Sequence, residues 1–518
     1  MKRTLVATLL AVAMLLAMAV PGMATTQIDY PIENGHKLTI WAPFNGTAAK
    51  KITSYNENES FMYAQQATGI SLEFVHPAIG QETEAFNLMI ASEDVTDMVT
   101  VWNPMYPGGD VAAVEDGVFI DLTDKLEQYS PAFYDILQEN EEYWREISPP
   151  DGRILSYTGY KNSTAEIEGS YYRMQVRADW LEESGLGTLY TIADYENFFQ
   201  WILDNKEGVI PLAMDTDGID NPLLVAFGLT ESNYNQIDGK LFSSRYDEGL
   251  KDYVATLHNW YEKGYISKDF VSADKQNLFE TGKAAMFAYT SVDTYTRCAA
   301  LNMPVANLPY MRQEEGQQIH GWYVITPNNT VYTSISTGCE YPEEAMMFIN
   351  YGYTEEGANV YNFGWPEKAW VYDENGQPAY TDYILHNPEY SNVNDETHVL
   401  KLHSGGIARM RYSDAVTIPD NTLDPGCLTY RLNWMDDPNY DTDTAILALT
   451  YTVEDNDRHA TLWNDIKTYS DEMILKFITG AEPIENFDNY METLRGMGIE
   501  ECLQISQNTY DAYMSKTR

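Results

Sequence analysis

The chain has 518 residues, more than a single ordinary hydrophobic core supports, so two or more lobes are expected. A hydrophobic content of 44% and an aromatic content of 13% disfavour an intrinsically disordered chain. The 78 acidic residues outnumber the 32 basic ones and give a net charge of −46, which disfavours nucleic acid and anionic membranes as partners.

The N-terminal segment has the pattern of a secretory signal peptide. Lys2 and Arg3 precede an apolar run from Leu5 to Val20, and Gly22-Met23-Ala24 ends in a small-x-small pattern. We expect cleavage after about Ala24 and a secreted or periplasmic protein, with an uncleaved membrane anchor as the alternative. No lipobox cysteine stands near the cleavage site, so the sequence indicates no lipid anchor.

Strand and helix patterns alternate in the residues that follow. Strand patterns occur at 37–41, 69–75 and 97–101, and helical spacing occurs between them at 60–68 and 84–91. Strands that alternate with helices predict an α/β lobe with a largely parallel sheet.

The stretch from Tyr171 to Leu186 begins with strand alternation and becomes helical at Arg177, which indicates the start of a second lobe. Further helices are predicted at 192–205, 248–263 and 342–350, and strands at the end of 279–288 and at 320–325. Residues 365–440 have weak periodicity and indicate surface elaborations, whereas the C-terminal segment is mostly helical. No Gly/Ser or Pro linker separates the halves, so several crossing strands should join the lobes.

Motifs of common catalytic sites are absent from the sequence. The chain has no G-x-S-x-G, H-E-x-x-H or G-x-x-x-x-G-K-[ST] motif and no strand-linked G-x-G-x-x-G, and its eight histidines do not pair at ligand spacing. A non-enzymatic protein is therefore expected. A glycoside hydrolase with paired carboxylates is the alternative, because so acidic a chain offers many such pairs.

The segment 215–220 places alternating carboxylates beside a glycine turn. Asp215, Asp217 and Asp220 are therefore candidates to bind calcium through oxygen ligands. The segment is shorter than a full calcium loop and has no closing Glu, so an ordinary acidic turn is the alternative. No other cofactor is expected.

Four widely spaced cysteines, Cys298, Cys339, Cys427 and Cys502, form no C-x-x-C pair. A metal site built from them is therefore not expected. Outside the cytoplasm they can form up to two disulfides or remain buried thiols, and the sequence leaves both states open.

Aromatic and polar residues recur in loops and near predicted strand ends. In an open α/β lobe, ligands bind at the carboxyl ends of the strands, where flat rings stack on sugar faces and polar groups hydrogen-bond the hydroxyls. For any single aromatic residue, packing in the core is the competing interpretation. The candidate cleft residues are Trp41, Asn45, Trp102, Asn103, Arg173, Tyr289, Asp293, Trp322 and Trp365.

Six segments in chain order match motifs of one family. They are NLMIAS at 87–92 with Asp97, EDGVFIDLT at 115–123, RADWL with GL in 177–186, WYEKGYI at 260–266, GKAAM at 282–286, and YSDEMILKFITG at 469–480 followed by MGI at 497–499. Over nearly the whole mature chain, the sequence resembles the extracellular solute-binding proteins of ABC importers, family 1, in the long LplA-like subgroup.

The resemblance implies an α/β fold: a two-lobed periplasmic-binding-protein-like clamp with an interlobe hinge and a helical C-terminal extension. The first lobe is then expected to contain residues 36–160 plus 290–345, and the second 161–285 plus 346–455. Residues 456–518 should form C-terminal helices.

The resemblance also implies a function without catalysis. A monomer would capture a carbohydrate, in particular an oligosaccharide, in the interlobe cleft and deliver it to the permease subunits of an ABC importer. Besides a secreted polysaccharide-degrading hydrolase, a peptide- or polyamine-binding clamp of the same shape is the alternative, because the acidic charge would favour cations. Many relatives from Gram-positive bacteria carry a lipobox cysteine, which this sequence lacks.

Overall fold

The computed structural model describes most of the chain. The described residues are 27–46, 48–161, 172–215, 222–230, 232–290, 294, 297–298, 301–321, 328–385, 400–401, 405–412, 439–441, 443–446 and 449–516. The predicted signal peptide, residues 1–24, lies outside the described residues.

Strands and helices are numbered in chain order within the described residues. The strands are β1 (Lys37–Trp41), β2 (Ser71–Val75), β3 (Met98–Val101), β4 (Tyr157–Lys161), β5 (Tyr172–Arg177), β6 (Ile210–Ala213), β7 (Asn235–Ile237), β8 (Lys240–Phe242), β9 (Ala284–Thr290), β10 (Val305–Asn307), β11 (Ile319–His320), β12 (Asn328–Ile335), β13 (Trp370–Tyr372), β14 (Pro378–Tyr380), β15 (Met410–Arg411) and β16 (Tyr440–Asp441). The α-helices are α1 (Glu59–Thr68), α2 (Glu82–Ala91), α3 (Gly109–Glu115), α4 (Leu126–Tyr129), α5 (Pro131–Glu139), α6 (Glu141–Ile147), α7 (Ala178–Ser184), α8 (Ile192–Asn205), α9 (Gly249–Glu262), α10 (Lys275–Glu280), α11 (Pro342–Tyr351), α12 (Glu355–Phe363), α13 (Asp382–Leu385), α14 (Val453–Thr479), α15 (Phe487–Met497) and α16 (Ile499–Ser515). Short 3-10 helices occur at Ala48–Lys50, Tyr55–Glu57, Thr123–Lys125, Pro222–Phe227, Ser244–Tyr246, Phe270–Ser272 and Ile484–Asn486.

The first lobe contains a six-stranded sheet in the order β15-β4-β12-β3-β1-β2. β1 pairs in parallel with both β2 and β3, as the predicted alternation of strands and helices requires. β12 is antiparallel to β3 and β4, whereas β15 is parallel to β4. All strands of this sheet except β12 therefore point the same way, and their carboxyl ends lie on one edge.

Local sequence determines where α1 begins and ends. The side-chain oxygen of Asn58 accepts hydrogen bonds from the backbone N–H groups of Ser60 and Phe61 at 3.1 and 3.3 Å, which caps the helix. Gly69 ends it in the left-handed conformation, with φ of 75°. The ring of Phe61 lies 4.6 Å from that of Phe74 in β2, so the buried face of α1 packs on the sheet.

The second lobe contains a four-stranded sheet in the order β10-β5-β9-β6. β5 is antiparallel to both neighbours, and β6 is parallel to β9. The carboxyl ends of β6, β9 and β10 therefore share an edge with the amino end of β5. The predicted switch from strand to helix is observed, because β5 ends at Arg177 and α7 begins at the next residue.

Helices α11 and α12 pack in the first lobe, which corrects the expected assignment of residues 346–455 to the second. Phe348 and Tyr361 lie in the same buried cluster as Ile40 and Phe74 of the first sheet. β15 also pairs with β4 of that sheet. Amphipathic spacing shows that a helix buries one face, but it does not show which sheet covers that face.

The segment 290–345, expected wholly in the first lobe, is divided between the two sheets. β12 lies in the middle of the first sheet, whereas β10 pairs with β5 of the second. The sequence therefore returns to the first lobe only after β11.

The C-terminal helices α14, α15 and α16 complete the core of the second lobe. Trp463, Ile474 and Leu494 are buried in the same cluster as Met286 of β9. α14 is the longest helix described, at 27 residues, and it has charged side chains throughout. Within the described part of the chain, no helix combines the length and apolar character that crossing a membrane requires.

The end of α16 also contacts the first lobe. Lys516 Nζ donates hydrogen bonds to the carbonyl oxygens of Arg145 and Ser148 at 3.3 and 2.5 Å, where α6 ends. In return, Arg145 Nε donates to the carbonyl of Lys516 at 2.9 Å. Burial lowers the pKa of Lys516 to about 8, and the nearby carboxylate of Asp151 opposes this shift in part. The C-terminal segment therefore bridges the two lobes.

If α15 is part of the second core, Leu494→Ala should lower the free energy of unfolding by about 2–5 kcal/mol, because a fully buried side chain is lost. Urea denaturation of the mature protein measures this. Met514→Ala, on the exposed side of α16, is the control and should change the value by less than about 0.5 kcal/mol. Equal effects of the two substitutions would contradict the packing described.

Candidate functional site

Between the described strands, the chain passes from one lobe to the other from β4 to β5, from β11 to β12, and from β15 to β16. β4 leaves the first sheet at the edge formed by the strand carboxyl ends, and β5 enters the second sheet at its amino end. β12 likewise enters the first sheet at that same edge, because it is antiparallel to its neighbours. The two edges therefore face a common gap between the lobes, and this gap is the candidate functional site.

Two predicted ligand residues, Trp102 and Asn103, directly follow the carboxyl end of β3. The Trp102 side chain is 37% exposed, and Asn103 is exposed beside it. The backbone of Gly405 lies against the indole, since a Cβ at position 405 would be only 3.3 Å from Trp102 Nε1. An exposed ring with a neighbouring amide at a strand end can stack on a flat polar ligand and hydrogen-bond to it.

Two more of the predicted residues lie at the end of β1 and in the loop that follows it, and the structure separates their roles. Trp41 is 4% exposed and packs edge-on against Phe86, with ring centroids 6.0 Å apart, so it belongs to the interface of helix and sheet. Asn45 is half-buried, and its Oδ1 accepts a hydrogen bond from the backbone N–H of Ala48 at 3.2 Å. The N–H of Asn45 donates to the Tyr55 hydroxyl at 3.3 Å. Asn45 therefore shapes the loop beside the gap.

Trp365 lies on the helical layer of the first lobe and not at the strand ends. It follows α12, and its ring lies 5.4 Å from that of Tyr63 in α1 at a nearly perpendicular angle. Lys368 Nζ lies 5.9 Å from the same ring. The candidates Trp322 and Asp293 lie outside the described residues.

Arg173 lies inside the packing of the second lobe. The residue is 2% exposed, its guanidinium carbon lies 4.1 Å from the Tyr310 ring centroid, and its Nη1 donates a hydrogen bond to the Tyr310 hydroxyl. Tyr310 in turn stacks on Tyr440, with centroids 5.3 Å apart, next to the crossings at β11 and β16. Arg173 is therefore placed to support the hinge. Tyr289 pairs with Arg173 in the sheet, so its backbone lies at the same edge, while its side chain lies outside the described residues.

Asp215 is the member of the predicted calcium segment that the structure describes. Its carboxylate lies 2.6 Å from Lys275 Nζ at the start of α10, so an ammonium group pairs with it. Asp217 and Asp220 lie outside the described residues. Among the residues that are described, no group of three or more His, Cys, Asp or Glu side chains could hold a metal ion.

Three of the four cysteines are buried free thiols: Cys298, Cys339 and Cys502. Burial raises the pKa of Cys298 and Cys502 to about 11 and that of Cys339 to about 12. Such thiols form little thiolate at neutral pH, so they act as core side chains. Cys427 lies outside the described residues.

Two residues beside the gap carried no recognisable motif in the sequence. His76 directly follows β2, and its Nδ1 lies 2.8 Å from the carbonyl oxygen of Ala42. Arg409 is buried, and its Nη1 donates to the carbonyls of Gly405 and Ile407 at 3.1 and 2.9 Å, which holds the turn beneath the exposed indole. Burial, with a smaller effect of a neighbouring arginine, lowers the pKa of Arg409 to about 9. His76 could have been recognised in the sequence, because it directly follows a predicted strand. Arg409 could not, because it lies in the segment 365–440, where the periodicity is weak.

Two α/β lobes that are joined by chain crossings at the edges of their sheets have the architecture of the two-lobed class of solute-binding proteins. Residues 60–363 match the family described as bacterial extracellular solute-binding protein. The chain belongs to this family.

Known proteins with similar sequence or structure cover nearly the full length. The fructooligosaccharide ABC transporter substrate-binding protein FusA of Streptococcus pneumoniae serotype 4 is 22% identical over 500 residues, which is 90% of each chain. The alginate-binding protein AlgQ2, in a crystal structure without calcium ion, has a TM-score of 0.74 at 18% identity and covers 94% of this chain and 99% of its own. An HMO-binding, ABC-transporter-associated solute-binding protein from Bifidobacterium longum infantis has a TM-score of 0.73 at 15% identity and covers 93% and 100%. The structural likenesses establish the two-lobed fold.

Arg173→Ala should lower the free energy of unfolding by about 2 kcal/mol or more, because a desolvated cation–π contact and a buried hydrogen bond are lost. Urea denaturation without ligand measures the effect. Arg458→Ala is the matched control, since its side chain is 51% exposed in an ion pair with Glu501, and it should be clearly less destabilising than Arg173→Ala. If Arg173→Ala is no more destabilising than this control, Arg173 does not support the hinge.

Proposed function

We propose that this protein captures an oligosaccharide in the gap between its lobes and delivers it to the permease subunits of an ABC importer. The observation that carries the proposal is the exposed indole of Trp102 at the carboxyl end of β3, with Asn103 beside it and the Gly405 backbone against it. A flat apolar ring stacks on the C–H face of a sugar, and an adjacent amide hydrogen-bonds its hydroxyl groups.

The relatives support the same ligand class. FusA is named for fructooligosaccharide and AlgQ2 for alginate, and both similarities span about nine-tenths of this chain or more. FusA is also named as an ABC transporter substrate-binding protein, and the Bifidobacterium protein is named as associated with an ABC transporter. Family membership supports binding without catalysis, because the family is one of solute-binding proteins.

Delivery requires that the bound and empty proteins differ in shape. A ligand that contacts both walls of the gap binds more tightly when the walls are close, so it shifts the equilibrium toward a closed state. The crossings beside Tyr310 and Tyr440 are where the change of angle would occur. We further propose that the segment ending near Ala24 exports the protein, which then acts outside the cell or in the periplasm.

Trp102→Ala should weaken the binding of the preferred oligosaccharide roughly tenfold or more, because a stacking surface is lost at the centre of the wall. A thermal-shift screen of fructooligosaccharides, uronate oligosaccharides and other glycans first identifies a ligand, and isothermal titration calorimetry then compares the variants. Tyr372→Ala is the control, since this exposed tyrosine of β13 lies outside the strand-end edge, and it should leave the affinity unchanged.

Binding of peptides or polyamines without any response to glycans would show that the ligand class is wrong. Release of reducing ends from a polysaccharide would show instead that the protein is a hydrolase. Equal affinities of Trp102→Ala and the wild type would remove Trp102 from the site.

A further inference from the structure

The loop between β1 and α1 borders the gap, and one imidazole contacts both of its ends. His76 Nδ1 lies 2.8 Å from the carbonyl oxygen of Ala42, where the loop begins. Its Nε2 lies 3.1 Å from the backbone nitrogen of Tyr55 and 3.1 Å from Ser54 Oγ, where the loop ends. The ring also stacks on Phe44 within the loop, with centroids 4.7 Å apart. A single side chain therefore ties the loop to the end of β2.

The partners of the two ring nitrogens determine which tautomer is present. A carbonyl oxygen can only accept, so Nδ1 must carry a proton and donate it to Ala42. A backbone N–H can only donate, so Nε2 must be unprotonated to accept from Tyr55. The contacts therefore require neutral imidazole with the proton on Nδ1.

Protonation of Nε2 would place two N–H donors against each other and would leave a charge among apolar rings. The hydrogen bond from Tyr55 would be lost, and the half-buried ring would carry its charge between Phe44 and Phe74, whose ring lies 5.7 Å from that of His76. Burial lowers the pKa of His76, in the direction that favours the neutral form, and the bond to Ala42 opposes this only in part.

No neighbouring carboxylate is positioned to offset that charge. The 3-10 helix contributes Tyr55 and Glu57, and the Glu57 carboxylate accepts hydrogen bonds from Thr53 instead. From β2, Glu73 pairs with Lys37 at 2.5 Å. The loop residues 42–46 carry no charged side chain, and the charged residues farther along the loop, Lys50 and Lys51, are cations exposed at the surface.

Beyond Tyr55, the segment that includes β15 contributes a positive charge. The Arg409 guanidinium helps to lower the pKa of the Tyr55 phenol, although burial raises that pKa overall to about 12. This cation acts on Tyr55, whereas the lowered pKa of His76 itself comes from burial.

We infer that neutral His76 is a positioning residue that holds the loop from Ala42 to Tyr55 in place beside the gap, and that acid releases this loop and weakens ligand capture. The effect of acid on ligand capture rests on the proposed function, whereas the ordering of the loop by His76 does not. Asn45, in the middle of the loop, is the predicted ligand residue whose position depends on it.

Hydrogen–deuterium exchange of the mature protein, without sugar, tests the ordering of the loop. Between about pH 7.5 and about pH 5, peptides covering 44–55 should exchange roughly fivefold faster after correction for the intrinsic pH dependence, because His76 becomes protonated and the hydrogen bond from Tyr55 is lost. His76→Phe keeps an aromatic ring but has no titrating nitrogen, so its corrected exchange should be fast at both pH values. If the corrected exchange rate of these peptides in the wild type is the same at both pH values, acid does not release the loop and the inference is wrong.

His36→Gln is the matched control, since His36 is exposed and pairs with Glu344 on another surface. His36→Gln should keep the faster exchange of peptides 44–55 at low pH that the wild type shows. If this variant loses that pH response, the effect does not come from His76. Once a glycan ligand is known, its affinity should fall at about pH 5 in the wild type and be independent of pH in His76→Phe. If no glycan binds at any pH, the proposed function is wrong, and the exchange result is unaffected. If a glycan binds the wild type with the same affinity at both pH values, the order of the loop does not affect ligand binding.

Discussion

The direction of the strands at the interlobe crossings is the constraint on which the rest of the molecule depends. β4 leaves the first sheet at its carboxyl edge, and β5 begins at the edge of the second sheet where β6, β9 and β10 end. Reversing either strand would turn the loops of one lobe away from the other. Because loops at these edges are free of sheet pairing, they can present side chains to one gap.

Buried arginines stabilise this arrangement in a chain whose surface is strongly acidic. Arg173 lies on the ring of Tyr310 near the crossings, and Arg409 donates to backbone carbonyls beneath the Trp102 indole. Removing a guanidinium group from water is costly, and ring faces and carbonyl oxygens offset that cost over several partners. The acidic excess lies mainly in exposed side chains, where a single ion pair such as Lys37–Glu73 contributes little.

The two lobes are also connected away from the gap. α16 packs in the second core through Cys502, and Lys516 at its end binds the carbonyls where α6 of the first lobe finishes. A change of angle between the lobes must preserve these short hydrogen bonds or break them. The proposed opening and closing would therefore act on the C-terminal segment as well as on the crossings, whereas the proposed role of His76 concerns a loop within one wall.

The sequence by itself determined the local structure, because periodicity, caps and glycine turns act within a few residues. It predicted β1 at its observed bounds, the helices later found as α1, α2 and α8, and the switch from strand to helix at Arg177. It also placed Trp102 and Asn103 at a strand end, since a loop that follows a buried strand can be recognised from the sequence.

Only the tertiary structure decided what each buried face packs against. It assigned α11 and α12 to the first lobe, buried Trp41 and Arg173, and placed Trp365 on the helical layer. An aromatic or arginine side chain has the same local pattern whether it meets a ligand or a distant helix, because the deciding contacts come from residues far along the chain. The role of His76 likewise depends on Ala42 and Tyr55, which the fold brings to its two ring nitrogens.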